Sequence, residues 1–303
     1  MKELVRKVLE GNRKLVKEGR VADYIPALSK ANPKEMALSL MDLEGNIYSA
    51  GDQDRSFTIQ SISKVLGLIL ALRDKGEEGV FNRVGYEATD EPFNTMFKLD
   101  GNWEKPANPM INLGAIVTTS LIAGAGEESF NRILELIKKI TGNPNISYDR
   151  EVYLSERETG NRNRSMAYLL KSKGLLTGNV EDALDTYFKQ CSILVTTVDL
   201  AKIGLFIARG CPFKEEGAIS NTRLTSIVRA IMSTCGMYNF SGQYAVNIGI
   251  PSKSGVGGGI LGTVSNKYGI GVYSPALDSY GNSAAGYGMM KDLSEALKLN
   301  IFI

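Results

Sequence analysis

"QSISKVLGLILALRDKG", residues 60–76, joins a Ser-x-x-Lys to an apolar run with helical spacing and a closing Gly. Read as a helix, this stretch ends an early β region and opens a long helical one. Ahead of it, residues 36–42 and 47–50 flank "LEGN" and read as a hairpin of two antiparallel strands. The first 19 residues, "MKELVRKVLEGNRKLVKEG", read as an amphipathic helix. Behind it, as far as about residue 235, "INLGAIVTTSLIAG", "ESFNRILELIKKITG", "NRSMAYLLKSKG", "DLAKIGLFIARG" and "NTRLTSIVRAIMSTCG" each carry helical spacing or a closing Gly. Then "YAVNIGI" (244–250), "GGILGTVS" (258–265) and "YGIGVYSP" (268–275) alternate between turns and read as three strands, before a last helix in "DLSEALKLNI". The predicted fold is α+β, a five-stranded antiparallel sheet flanked by both terminal helices (residues 1–60 plus 236–303) with an all-helical subdomain (61–235) inserted after the second strand. One domain spans residues 1–303, and its cleft belongs at the seam between sheet and helices.

Composition narrows the function. Lys and Arg number 35 against 33 Asp and Glu, so there is no net field to attract nucleic acid or an anionic membrane, and a small partner is expected. The longest apolar run, "VLGLILAL", falls far short of the roughly 20 residues of a membrane span. The N-terminal stretch does not read as a signal peptide, and the expected location is the cytoplasm. Cys191, Cys211 and Cys235 lack metal-ligand spacing and read as free core thiols in a reducing compartment. The chain contains no histidine, which excludes a Ser-His-Asp triad or a Cys-His pair within it and removes the commonest zinc or iron ligand. No metal or cofactor is expected, and nucleophilic chemistry here needs another base.

Lysine is the candidate. If Ser61 opens the helix, Lys64 follows one turn later on the same face, where burial against the apolar run would depress its pKa and make it a base. The alternative reading of Ser61 is a helix cap. Lys253-Ser254-Gly255, in "PSKSGVGGGILG", resembles the K-T-G element that accompanies S-x-x-K in penicillin-recognising enzymes. There the N–H of Val256 could join that of Ser61 in an oxyanion hole. Gly257, Gly259 and Gly262 match G-x-G-x-x-G but lead into a strand, which argues against dinucleotide binding. Asn112, Glu156, Asn163 and Tyr187 are polar candidates in the helical region, each with a structural alternative: a capping box of Ser155 and Glu158, loop Asn residues, a core Tyr. Tyr238, in "CGMYNFSG", could project a phenol into the cleft and relay a proton.

Together "GRVADYIPALSKANP", "QSISKVLG", "NPMINLGAI", "LSERETGNRN", "YFKQCS", "CGMYNFSGQYA", "KSGVGGGI" and "GNSAAG" resemble, in order and over most of the chain, the serine-dependent glutaminase family in its compact bacterial form. That family shares the β-lactamase-like fold of penicillin-binding proteins. The resemblance implies an amidohydrolase that converts L-glutamine to L-glutamate and ammonia without a cofactor. It implies Ser61 as nucleophile, Lys64 as base, Tyr238 as proton relay, and the N–H groups of Ser61 and Val256 as oxyanion hole, while Lys253 could supply positive charge beside Lys64. Tyr24, Asn112, Glu156, Asn163 and Tyr187 match positions holding the amino-acid end of the substrate, where Glu156 suits the α-ammonium. A homo-oligomer, tetramer or dimer, is implied as well. Leu113, Asn239 and Gly257 depart from the family pattern, which has Ala, Asp and Ala there. The rival readings are another cytoplasmic Ser-Lys amidase or esterase, and a glutamine-binding protein without turnover.

Overall fold

The hairpin forms where the polar "LEGN" interrupts the apolar alternation, as β1 (Ala37–Asp42) and β2 (Ile47–Gly51). Asp42 closes the turn by accepting from the Asn46 N–H at 2.8 Å, and Gly45 supplies a positive φ of 90°. The computed structural model describes residues 1–89 and 104–303. In it β5 (Ser252–Ser254), β6 (Gly259–Val264) and β7 (Tyr268–Tyr273) complete a five-stranded sheet of order β2-β1-β7-β6-β5, antiparallel at every pairing. Its two faces follow the period of two in the sequence. Leu38, Leu40, Ile260, Ile270 and Val272 share a core with Val5, Val8 and Leu9 of α1 (Lys2–Asn12) and Met289, Met290 and Leu293 of α11 (Ala284–Leu297).

The opposite face receives α8 (Thr197–Ala208), which lies across β1, β6 and β7. The strands are glycine-rich where the helix crosses them. A Cβ on Gly269 would fall 2.0 Å from the Ala201 carbonyl, and one on Gly271 2.1 Å from that of Thr197. Helix and sheet therefore meet backbone to backbone, and α8, although inside the helical stretch of sequence, packs as part of the sheet layer.

The other helices are α2 (Ser63–Phe81), α3 (Asn112–Leu121), α4 (Glu127–Thr141), α5 (Arg150–Thr159), α6 (Asn161–Ser172), α7 (Val180–Cys191), α9 (Asn221–Cys235) and α10 (Ser241–Asn247). All of these but α10, whose Tyr244 joins the sheet core, surround a second core built on the apolar side of α2, with Leu66, Ile69 and Leu72 fully buried. A two-stranded ribbon, β3 (Phe57–Thr58) with β4 (Leu194–Val195), ties the chain ahead of Ser61 to the end of α7.

Three expectations need correction. "YAVNIGI" is not a strand: its first four residues are the end of α10, where Tyr244 turns inward and donates to Ser252 Oγ at 2.9 Å. Ile248 and Gly249 both return their N–H groups to the Tyr244 carbonyl, which stops the helix, and the strand comes later, in the polar but fully buried Ser-Lys-Ser of β5. Ser61 does not open an α-helix. It sits in a 3-10 turn, Gln60–Ile62, and α2 continues through a kink at Gly76 (φ 69°) where an end was expected. Finally, α5 is capped by Asp149, which accepts from the N–H groups of Glu151 and Val152, so Ser155 and Glu158 lie within the helix and form no capping box.

Candidate active site

The β3–β4 ribbon delivers the nucleophile candidate. The Ile59 N–H bonds to the Ile193 carbonyl at 2.8 Å, and the chain then turns through Gln60, whose φ is +50°. Few non-glycine residues occupy that region, and strain of this kind collects at functional sites. One residue later comes Ser61, and one turn further Lys64, whose side chain is completely buried.

The Lys64 ammonium donates to the Met110 carbonyl at 3.0 Å and to Asn112 Oδ1 at 2.7 Å, while Asn112 Nδ2 donates to Asn163 Oδ1 at 3.1 Å. Neither of the two Lys64 bonds goes to Ser61, where sequence reasoning expected contact. Burial pulls the Lys64 pKa down to about 8. Lys253, also fully buried, is held well below the usual lysine range by burial first and by the Lys64 charge second. Its Nζ donates to the Ser254 carbonyl at 2.6 Å and lies 4.4 Å from the centroid of the Tyr238 ring.

Tyr238 stands in the turn after α9 with a φ of +57°. Its hydroxyl donates to the same Ser254 carbonyl at 3.2 Å. Burial raises its pKa, so the phenol stays protonated at neutral pH.

Glu156, on the inward face of α5, is only 6% exposed, and its Oε1 has no hydrogen-bond partner among the described residues. Desolvation raises its pKa to about 7, against the opposing effects of a hydrogen bond from Gln60 and the charge of Lys64. A buried carboxylate oxygen without a donor is costly, and a cationic ligand would relieve that cost.

Ser61, Glu156, Asn112, Asn163, Tyr187, Val256 and Tyr24 all face one cavity of about 170 Å³. Lys64, Lys253 and Tyr238 are buried behind its lining. Tyr24, 54% exposed, stands at the mouth and shares with Val256 the wall of an adjoining cavity of about 750 Å³. No hydrogen bond takes the Val256 N–H among the described residues. The loop that bears it lies close against the Ser61 turn: a Cβ on Gly255 would come 2.7 Å from the Ile59 carbonyl, and one on Gly257 2.6 Å from that of Thr58. At 257, where the resemblance led to an expectation of Ala, glycine leaves free the space that a Cβ would take up. Leu113 is buried in the helical core, and Asn239 is exposed at the adjoining cavity. Sequence reasoning passed over Gln60 and Arg162, which also line the cavity. Position beside Ser61 and Asn163 was their only signal.

The sequence profile of the glutaminase family matches residues 19–302. This chain belongs to the glutaminase family. Glutaminase 2 of Clostridium perfringens (strain 13 / Type A) is 50% identical over 306 residues, covering 100% of both chains. The glutaminase of Clostridioides difficile (strain 630) is 50% identical over 302 residues, 99% of this chain and 98% of its own length. Among solved structures, the probable glutaminase ybaS superimposes with a TM-score of 0.90 at 37% identity, covering 99% of this chain and 98% of the other. A probable glutaminase from Bacillus subtilis, complexed with 6-diazo-5-oxo-L-norleucine, gives 0.88 at 37% identity over 98% and 95%. The protein is thus an enzyme of glutamine hydrolysis, a glutaminase with a mixed fold of helices around a five-stranded antiparallel sheet. No helix among the described residues is long and apolar enough to cross a membrane.

Proposed function

We propose that this glutaminase hydrolyses the side-chain amide of L-glutamine through an acyl-enzyme on Ser61, with Lys64 as base. The observation that carries the reading is the pairing, across one cavity, of the orphaned Glu156 carboxylate with Ser61. The α-ammonium sits against Glu156, the donors of Asn112, Asn163, Tyr187 and Tyr24 hold the α-carboxylate end, and the side-chain amide reaches Ser61.

A neutral lysine amine has two hydrogens and one lone pair. Met110 and Asn112 accept those two hydrogens, which leaves the lone pair for the Ser61 hydroxyl. With a pKa of about 8, about a tenth of Lys64 is in that neutral form at pH 7 and about half at pH 8. Ser61 Oγ attacks the amide carbon as its proton passes to Lys64, and the N–H groups of Ser61 and Val256 receive the charge that develops on oxygen. The carbon–nitrogen bond then breaks, and ammonia leaves with a proton relayed through Tyr238, whose hydroxyl is held by the Ser254 carbonyl and whose ring lies beside Lys253. Water cleaves the ester by the reverse proton route and releases L-glutamate.

The finer expectations fit the same reading: a β-lactamase-like arrangement over one catalytic domain with a helical insertion, a cytoplasmic location, and assembly as a tetramer or dimer. The decisive experiment compares ammonia release from L-glutamine by the wild type and by Ser61→Ala, with asparagine as a control. Loss of release in the variant supports the acyl-enzyme; near-normal turnover refutes it.

A further inference from the structure

We infer that Gly258 is a positioning residue for the oxyanion hole: its N–H fixes the plane of the Gly255–Val256 peptide and so aims the Val256 N–H. This rests on the assignment of the Val256 N–H to the oxyanion hole.

Residues 255–258 form one turn, closed by the Gly258 N–H, which donates to the Gly255 carbonyl at 2.9 Å. That carbonyl shares a planar trans peptide unit with the Val256 N–H, and in such a unit the two point in opposite directions. Whatever holds the carbonyl therefore sets where the N–H points. Here the N–H is turned out of the turn, and Val256 lines the same cavity as Ser61. The peptide needs such a hold. Gly255 has no Cβ to limit rotation on one side of it, and no backbone hydrogen bond among the described residues involves Val256 or Gly257. Gly258 is itself fixed. Its carbonyl accepts from the Ser274 N–H at 3.0 Å, and the Ser274 carbonyl accepts from Ser283 Oγ at 2.7 Å. Ser283 in turn caps α11, its Oγ accepting from the Gly286 N–H at 3.1 Å. Only glycine fits at 258: φ is +98°, and a Cβ would fall 2.5 Å from Pro275 Cα and 2.6 Å from the Ser274 carbonyl oxygen. With Gly255 and Gly257 against the Ile59 and Thr58 carbonyls, the turn is clamped between two stretches of backbone. Sterics fix where the turn lies, and the Gly258 N–H fixes which way its first peptide faces. A peptide whose carbonyl accepts a hydrogen bond is also a better donor at its N–H, so the hold strengthens as charge develops on the substrate oxygen.

The test replaces single backbone amides by esters, with glycolate in place of Gly258 or 2-hydroxy-3-methylbutanoate in place of Val256. Each keeps the side chain and deletes one N–H. The ester at Gly258 also weakens the Gly257 carbonyl, which accepts no backbone hydrogen bond among the described residues. With L-glutamine in an ammonia-release assay, the ester at Val256 removes an oxyanion donor and is expected to lower kcat about a hundredfold or more. The ester at Gly258 leaves that donor present but misaimed, and is expected to lower kcat about tenfold or more with KM within about twofold of wild type. Because Gly258 acts through Val256, the double ester should lose no more than about twofold beyond the Val256 ester alone. A near-normal kcat in the Gly258 ester, or a loss that multiplies with that of the Val256 ester, means a role in the fold only and overturns the inference. Normal turnover in the Val256 ester would instead overturn the oxyanion assignment, and this inference with it. If the Gly258 ester does not fold, amide hydrogen exchange in the wild type decides: the Gly258 N–H should exchange about tenfold or more slower than the Val256 N–H, and comparable rates overturn the inference.

Discussion

Replacing Glu156 with Gln separates what this carboxylate does for the fold from what it does for the substrate. Its pKa rises from the usual 4.5 to about 7 because the group is desolvated. At about 1.4 kcal/mol per unit this corresponds to roughly 3 kcal/mol. The sign follows from the direction: with the folded value above the unfolded one, the site's contribution to stability is fully present below about pH 4.5 and is lost as pH rises through about 7. Above pH 8 the ligand-free wild type therefore bears the whole cost of a buried, half-paired charge, and Gln, nearly the same shape and neutral, removes it. Thermal unfolding without substrate should then show Glu156→Gln melting higher than wild type at pH 8.5, by roughly 5 °C for a chain of this size, and the two converging near pH 5. Glutamine kinetics should move the other way. Without a counter-ion for the α-ammonium, kcat/KM falls about a hundredfold or more, mostly in KM. A variant that melts below wild type at pH 8.5 would refute the burial argument, and an unchanged KM would refute the ammonium assignment.

Three further outcomes are expected. Ser61→Ala should lower kcat by about a thousandfold or more in an ammonia-release assay, as removal of a nucleophile does. In the wild type, kcat/KM should climb with pH as Glu156, near 7, and Lys64, near 8, each lose a proton, because the site needs the first ionised and the second neutral. A pH profile with a limiting acid slope near two checks this, a slope that falls towards one in Glu156→Gln; activity highest at pH 6 would contradict both roles. Gly269→Ala, whose Cβ would sit 2.0 Å from the Ala201 carbonyl, should destabilise the fold by at least about 3 kcal/mol, visible as a lower denaturation midpoint. A midpoint within error of wild type would mean that α8 is not seated on the strand backbone.

Much of the architecture was legible because its signals are local. The hairpin at Gly45, the period-two alternation of β6 and β7, and the amphipathic spacing of α1, α4 and α9 all reside in contiguous residues. Legibility failed where burial and polarity part company. β5 is Ser-Lys-Ser, hydrophilic by composition and completely buried, because its lysine belongs to the site rather than to the surface. The apolar alternation of "YAVNIGI" was a false strand signal, since Val246 points to solvent and Tyr244 into the core on helical spacing. In the site, the motif residues were identifiable one by one. Their convergence was not, because it depends on α3, α5, α6 and α7 meeting around the Ser61 turn. Gln60 shows the limit: a positive φ and a buried amide leave no trace in a sequence that reads simply as Ile-Gln-Ser.

The backbone contact between α8 and the sheet also bears on how this enzyme can move. Packed helices slide past their neighbours by letting interdigitated side chains switch rotamers, a shear mechanism. Between α8 and the strands at Gly269 and Gly271 that layer is thin, because the space a Cβ would need at either glycine is taken up almost wholly by the α8 backbone, with Leu200 Cβ beside it. That seam has little to slide on, so α8 and the sheet are expected to move as one body.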